Sequence, residues 1–130
     1  MKFPPVRGEW VSEFILHVTS RTAWSAAQKS RQFVADSLER EGFIHCSRAS
    51  QILRVANLYF SGQHGLKILL IDPARLIPEL RWEPGVDLEA ELFPHIYGPI
   101  NLDAVVDVLD FEPDAAGKFN LPKSLQSPGT

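Results

Sequence analysis

The sequence contains a single cysteine, Cys46, among its 130 residues. One thiol cannot form a disulfide within the chain, and it cannot supply a cysteine-rich zinc site. We therefore expect folding that does not depend on an oxidising compartment. Cys46 directly follows His45, so on a strand the two side chains would point to opposite faces. We interpret Cys46 as a small buried apolar residue rather than as a catalytic nucleophile.

The sequence also lacks an excess of positive charge and any long apolar run. Lys and Arg number 13 and Asp and Glu number 16, which gives a formal net charge of −3. That balance argues against broad binding to nucleic-acid backbones. No apolar run approaches the roughly 20 residues of a membrane helix, and residues 1–10 lack the apolar region typical of a signal peptide. We predict a cytoplasmic protein without a membrane partner, whose ligand is a small molecule or a nucleotide; the oligomeric state stays open.

The composition predicts one folded domain. Apolar residues make up 45% of the chain and charged residues 22%, values typical of a globular protein with a buried core. Residues 1–12 are predicted to form an N-terminal arm, and residues 13–122 the domain. Residues 123–130 are rich in Ser, Pro and Gly, and we expect them to be a frayed tail.

Hydrophobic periodicity predicts strands mixed with helices along the chain. Strands are predicted over residues 14–18, 43–46, 66–71, 80–83 and 105–111. Helices are predicted over residues 22–28, 31–41 and 47–60, with Thr22 and Ser47 as N-caps and Gly42 as a stop signal. Residues 87–91 are expected to form an acidic loop, and residues 92–100, which contain two prolines and a glycine, an irregular path. This mixed order favours an α+β fold over a doubly wound one.

Three histidines, His17, His45 and His95, lie inside otherwise apolar segments. A buried imidazole must find hydrogen-bond partners, and a backbone carbonyl would satisfy each one separately. Strand alternation places Thr19 on the face of His17, and Ser47 on the face of His45. If the two strands are neighbours, these four polar groups converge on one site.

Two further features have both a structural and a functional interpretation. Glu83 follows Trp82 near the end of a strand; it is either a solvated surface acid or a carboxylate that reaches a cleft. The prolines around His95 and Tyr97 fix the backbone there, which suits either a pocket wall or a rigid crossover. Trp82 is large enough to line a pocket for a planar ligand.

Several phrases of the sequence together resemble the bacterial family catalogued as domain of unknown function 952. The resemblance covers roughly residues 13–122. It is carried by residues 14–19 (FILHVT), 37–47 (SLEREGFIHCS), 51–59 (QILRVANLY), 69–72 (LLID), 81–83 (RWE) and 93–100 (FPHIYGPI).

That family is similar in fold grouping to ADP-ribosyltransferases and RNA 2′-phosphotransferases, which bind NAD or ADP-ribosylated substrates. The resemblance implies an α+β fold with two small, mostly antiparallel sheets and flanking helices. It places His17, with Thr19, at the first-strand position that holds the ligand, and it makes Glu83 the candidate for the later carboxylate. The Ser-Thr-Ser triplet of those enzymes is missing, and a Glu-x-Glu element is at residues 89–91.

We therefore carry three hypotheses forward. The first is an NAD- or nucleotide-using transferase related to ADP-ribosyl or 2′-phospho transfer, with Glu83, His17 and His45 as catalytic residues and no metal. Its predicted ligand-binding residues are His17, Thr19, His45, Ser47, Trp82, His95 and Tyr97. The second is a non-catalytic module that binds a small molecule or nucleotide. The third is a metal-dependent enzyme that uses the three histidines with Glu83 or Glu91, although no metal-binding spacing is present.

Overall fold

The computed structural model describes residues 14–85 and 90–126. Within them the strands are β1 (Ile15–Ser20), β2 (Gln32–Phe33), β3 (Ile44–His45), β4 (Leu66–Ile71), β5 (Glu79–Pro84), β6 (Leu92–Tyr97), β7 (Ile100–Asn101) and β8 (Val105–Phe111). The α-helices are α1 (Arg21–Ser30), α2 (Asp36–Glu41) and α3 (Ile52–Tyr59). The predicted arm, most of the predicted acidic loop and the last four residues lie outside the described part.

The strands form small antiparallel sheets, which confirms the predicted α+β class. Sheet A has the order β1-β4-β8, and sheet C has the order β3-β6-β5. A two-stranded pair of β2 with β7 accompanies them. Both β1 and β3 are edge strands of their sheets, so their outer edges are free to pair with each other.

The two larger sheets meet at a single bridge between Leu16 and Ser47. The amide of each residue donates to the carbonyl of the other, at 2.8 Å in both directions. The prediction that Ser47 caps a helix is therefore wrong, because its backbone is held in the bridge. Helix α3 begins at Ile52 instead, and the Gln51 side chain accepts a hydrogen bond from the amide of Arg48 at 2.9 Å.

The segment between α1 and α2 differs from the predicted continuous helix over residues 31–41. Arg31 adopts a left-handed conformation with φ of 67° and ends α1, while its amide still donates to the carbonyl of Ala27. Phe33 is then buried and pairs with Ile100. Long-range strand pairing thus overrides local helix propensity there. The N-cap of α1 is Ser20 rather than Thr22, and Gly42 ends α2 as predicted, with φ of 90°.

Residues 92–97 form a regular strand, β6, at the centre of sheet C, where an irregular path was predicted. Proline lacks an amide hydrogen and usually interrupts a central strand. Pro94 is tolerated because it only needs to accept there: its carbonyl takes a hydrogen bond from the Cys46 amide at 3.1 Å. Strand β3 ends at His45, one residue before Cys46.

The core lies on both faces of sheet A because side chains alternate along β1. Leu16 and Val18 pack in one cluster with α3, and Ile15 packs in the other with Phe33. Phe119 docks onto the first cluster and stacks on Phe111 with ring centroids 4.5 Å apart. The predicted tail begins with a 3₁₀ turn at Lys123–Leu125, which contributes a buried leucine. In the described residues, no helix is long and apolar enough to cross a membrane.

Candidate functional site

A cleft of about 610 Å³ opens beside the bridge between the two sheets. Strand β1, helix α2, the segment after β3 and part of β6 contribute to its walls. Five of the residues that the sequence singled out line it together: His17, Thr19, His45, Ser47 and His95. The convergence depends on the bridge, which brings two strands from distant parts of the chain side by side.

His17 is a buried, neutral imidazole in this cleft. Its Nδ1 lies 2.6 Å from the carbonyl oxygen of His45, and its ring meets Phe33 edge-on. The pKa of His17 is lowered to about 4, chiefly by burial; the hydrogen bond to the carbonyl opposes this lowering, and the nearby His45 ring adds a smaller lowering. Since a carbonyl only accepts, Nδ1 carries the hydrogen. The lone pair is therefore on Nε2, which makes this ring a hydrogen-bond acceptor at neutral pH.

Two hydroxyl groups in the cleft are available to a ligand. Thr19 and Ser47 are buried, with 8% and 4% of their surface exposed. Both residues line the cleft. Among the described residues neither hydroxyl has a hydrogen-bond partner, and no fully buried side-chain oxygen or nitrogen is left unpaired, so both hydroxyl oxygens are open to the cleft. A hydroxyl can donate and accept, so these groups suit a ligand that carries hydroxyls or oxyanions.

The backbone of Val18 also points to the cleft. Leu16 bonds Ser47 through both its amide and its carbonyl, so those groups face away from β4. In an antiparallel ladder, residues alternate between the two sides, and β1 pairs with β4 without a register shift. The amide and the carbonyl of Val18 therefore also face away from β4. Among the described residues they have no backbone partner, although Val18 is only 8% exposed and lines the cleft.

His45 forms a pair with Glu41 at the cleft. Its Nε2 lies 3.2 Å from both carboxylate oxygens of Glu41. The His45 side chain is 41% exposed, and its ring contacts Phe43 and His95 edge-on, with centroids 4.7 and 5.6 Å away. The ring is thus fixed in orientation and still accessible to water.

His95 is held by a second carboxylate, Glu83, from the neighbouring strand. Its Nδ1 lies 2.8 Å from Glu83 Oε1, and the hydroxyl of Tyr97 donates to the same oxygen at 2.5 Å. The hydrogen bonds from Tyr97 and then His95 hold the pKa of Glu83 below its usual range, and the same bond raises the pKa of Tyr97. His95 is 3% exposed and stacks under Phe43 at 4.2 Å.

The remaining predicted site residues lie outside the cleft lining. Glu83 reaches the cleft only through His95, and Tyr97 is covered by the guanidinium of Arg81 at 4.2 Å. Trp82 is 41% exposed, and the guanidinium of Arg48 stacks on it at 4.6 Å. The structure therefore separates the predicted residues into a cleft set and a supporting set on β5 and β6.

Helix α2 contributes charged residues that the sequence reasoning missed. Asp36, Arg40 and Glu41 line the cleft, and Glu41 is the carboxylate that contacts an imidazole within it. On a short helix, such charges are typical of a solvated face, so the pattern gave no signal. The spacing of four residues between Glu41 and His45 was the available hint, but Gly42 ends the helix between them.

The histidines do not form a metal centre in the described part of the chain. No group of three His, Cys, Asp or Glu side chains there is arranged to hold a metal ion. Glu91, an alternative ligand in the metal hypothesis, pairs instead with Arg54, and Gln51 donates to it at 3.1 Å. Each candidate ligand is committed to a different protein partner.

Comparisons with known proteins place this arrangement in a family. Residues 18–108 match the family described as "Protein of unknown function (DUF952)". The crystal structure of protein CC0527 from Caulobacter crescentus is 31% identical, covers 83% of this chain and 94% of that chain, and superposes with a TM-score of 0.75. The solution NMR structure of CC0527 is also 31% identical, covers 82% of this chain and 90% of that chain, and has a TM-score of 0.71. No curated protein matches the chain significantly.

Proposed function

The chain belongs to the DUF952 family, and on the geometry of its cleft we propose that it is a transferase that binds a nucleotide-type ligand, with NAD as the first candidate. The observation that carries this proposal is the backbone of Val18, which has no backbone partner within residues 14–85 and 90–126 and faces the cleft beside the neutral ring of His17. Buried backbone groups are almost always paired, so this donor and acceptor favour a ligand that completes them.

A carboxamide matches the Val18 backbone. Its oxygen accepts one hydrogen bond and its nitrogen donates two, so it can pair with an amide and a carbonyl of one residue as a neighbouring strand would. Nicotinamide carries such a group on a flat ring. The cleft walls suit that ring, because apolar side chains such as Phe33, Val55 and Phe93 contribute to them.

A ribose matches the polar groups next to Val18. Its hydroxyls can donate to Nε2 of His17 and exchange hydrogen bonds with Thr19 and Ser47. The cleft volume of about 610 Å³ lies within the range of small-molecule sites, roughly 300–1,000 Å³. At the charged wall of the cleft, the guanidinium of Arg40 can meet the phosphates. NAD combines all three ligand chemistries in one molecule.

The supporting set then acts through the cleft set. Glu83 positions His95 and does not itself meet the ligand, because its carboxylate is bonded to that ring and to Tyr97. A carboxylate behind an imidazole fixes its tautomer and its orientation. In this proposal Trp82 lies outside the binding site.

Two-dimensional amide NMR tests this proposal directly. NAD is expected to shift the amide of Val18 and those of His17 and Thr19 in a saturable manner. ADP-ribose, which lacks the carboxamide, should shift the other two but leave Val18 nearly unchanged. Nicotinic acid adenine dinucleotide should bind more weakly, since a carboxylate cannot donate to the Val18 carbonyl.

The His17→Ala variant is expected to lose most of the NAD affinity, whereas His64→Ala should retain it. His64 is an exposed histidine that pairs with Glu112 outside the cleft, so it is a matched control. The proposal would be abandoned if no amide shifts at millimolar NAD, or if NAD and ADP-ribose shift Val18 equally.

A further inference from the structure

We propose that His45, supported by Glu41, is the general base that activates a neutral oxygen nucleophile, water or an alcohol, for transfer of the ADP-ribosyl group. This inference rests on the proposed function and adds the class of acceptor to it. The juxtaposition behind it is an accessible imidazole and a carboxylate in the cleft wall, next to the groups that would hold the ribose.

The hydrogen bonds of His45 define which nitrogen can take a proton. A carboxylate accepts, so the contact of Nε2 with both oxygens of Glu41 places a hydrogen on Nε2. In the neutral ring, the lone pair then lies on Nδ1. When Nδ1 takes a proton, the positive charge develops directly beside the Glu41 carboxylate, which stabilises it.

Accessibility distinguishes His45 from the other two imidazoles. The side chain of His45 is 41% exposed, so water or an alcohol can reach it. The side chain of His95 is 4% exposed and lies under Phe43. His17 has a pKa of about 4, which makes it a weak base at neutral pH. His17 suits orientation of a hydroxyl, and His45 suits removal of a proton.

Glu41 occupies a position that local helix energetics disfavour. It is the last residue of α2, where the carbonyl ends of the helix repel a negative charge. His45 offsets this repulsion only when the ring is positively charged, because a neutral ring contributes just a hydrogen bond. A carboxylate at such a place agrees with a role in the cleft.

The charges around His45 favour an uncharged acceptor. Among the described residues that line the cleft, Asp36 and Glu41 carry negative charge, and Arg40 is the only Lys or Arg. In the proposal Arg40 meets the phosphates of the ligand, so an anionic acceptor would face two carboxylates without a cation. A water molecule or a hydroxyl group has no such cost, but it needs a base to lose its proton.

The proposed step balances without a further reactant. The oxygen of the acceptor forms a bond to C1′ of the nicotinamide ribose as the bond from C1′ to the ring nitrogen breaks. The electron pair of that bond moves onto the nicotinamide ring and neutralises its positive charge, so nicotinamide leaves uncharged. The proton of the acceptor passes to Nδ1 of His45 and then to solvent. The products with water are ADP-ribose, nicotinamide and one proton.

The test measures nicotinamide release from NAD by proton NMR, in water and with added methanol. His45→Gln is expected to slow release by about 100-fold or more, the usual contribution of a general base.

Glu41 is a positioning residue, so its test needs a readout beyond the rate. Glu41→Gln is expected to slow release by about tenfold or more, whereas the conservative Glu41→Asp should restore part of the rate. Glu39→Gln is the matched control: it removes an exposed carboxylate of the same helix that does not line the cleft. The NAD-induced shift of the Val18 amide should persist in all of these variants, which shows that they remain folded and bind.

The outcomes separate the two proposals. Absence of the Val18 shift with NAD overturns both. A Val18 shift without nicotinamide release, in water or in methanol, overturns only the present inference, because NAD binding then stands and the acceptor is neither water nor a simple alcohol. Release that is unaffected by His45→Gln also overturns it, because the base must then be another group.

Discussion

Acidification is expected to destabilise the folded protein through His17. In the unfolded chain, a histidine has a pKa near 6.5, whereas burial lowers the pKa of His17 to about 4 in the folded state. Between these two values, the unfolded state binds a proton that the folded state does not. The free energy of unfolding therefore decreases as the pH falls through 6.5 towards 4, and His17 makes no further difference below that.

The magnitude follows from the two pKa values. One pKa unit corresponds to about 1.4 kcal/mol, so His17 alone should remove about 3 kcal/mol of stability between about pH 7 and about pH 4. This is a large part of the total for a small domain, which is typically about 5–15 kcal/mol. The ring resists a second proton because burial disfavours its charged form; the hydrogen bond from Nδ1 to the His45 carbonyl acts in the opposite direction and is the smaller effect.

Urea denaturation at several pH values measures this effect when it is compared with a variant. His17→Gln retains a donor for the His45 carbonyl but does not titrate. Acidification should therefore lower its free energy of unfolding by about 3 kcal/mol less than it lowers that of the unaltered protein. His64→Gln removes an exposed histidine outside the cleft and serves as the matched control. If unaltered protein and His17→Gln lose the same stability over this range, the assignment of His17 as a buried neutral ring is refuted.

Three further predictions concern single contacts. Tyr97→Phe should raise the pKa of Glu83, since the Tyr97 hydroxyl is the largest cause of its lowering; carboxyl NMR titration showing no rise would contradict this. Gly98→Ala should destabilise the fold by about 1–3 kcal/mol, because the added carbon would lie 2.8 Å from a rigid Pro78 ring atom; unchanged urea denaturation would contradict the close packing. Phe119→Ala should cost about 3–5 kcal/mol through loss of a buried stacked ring, and a loss below about 1 kcal/mol would show that the segment is not docked.

The local sequence pattern was sufficient to predict the bounds of an element where those bounds depend only on the residues of that element. The bounds of β4 and β8 agree with the predicted residues 66–71 and 105–111. Leu66–Ile71 is buried along nearly its whole length, so its apolar run is visible without knowledge of its neighbours. Gly42 ended α2 as predicted, since glycine adopts the left-handed conformation without a steric cost.

Local pattern failed where a distant partner decided the conformation. Phe33 belongs to a strand because it pairs with Ile100, and Ser47 is held in the bridge to Leu16. Pro94 lies in a central strand because β3 ends beside it and requires only its carbonyl. None of these partners lies within the window over which periodicity is read.

For the candidate site, the sequence by itself determined which side chains share a face. The alternation of β1 places Thr19 with His17, and that of the segment after Phe43 places Ser47 with His45, whatever their surroundings. The tertiary structure decided which of these faces meet and which carboxylate is hydrogen-bonded to which imidazole ring. Cross-strand register places Glu83 within hydrogen-bond distance of His95, and the turn at Gly42 brings Glu41 next to His45. The physical reason is that alternation is a property of one strand, whereas contact requires the relative position of two segments, which only packing and backbone pairing determine.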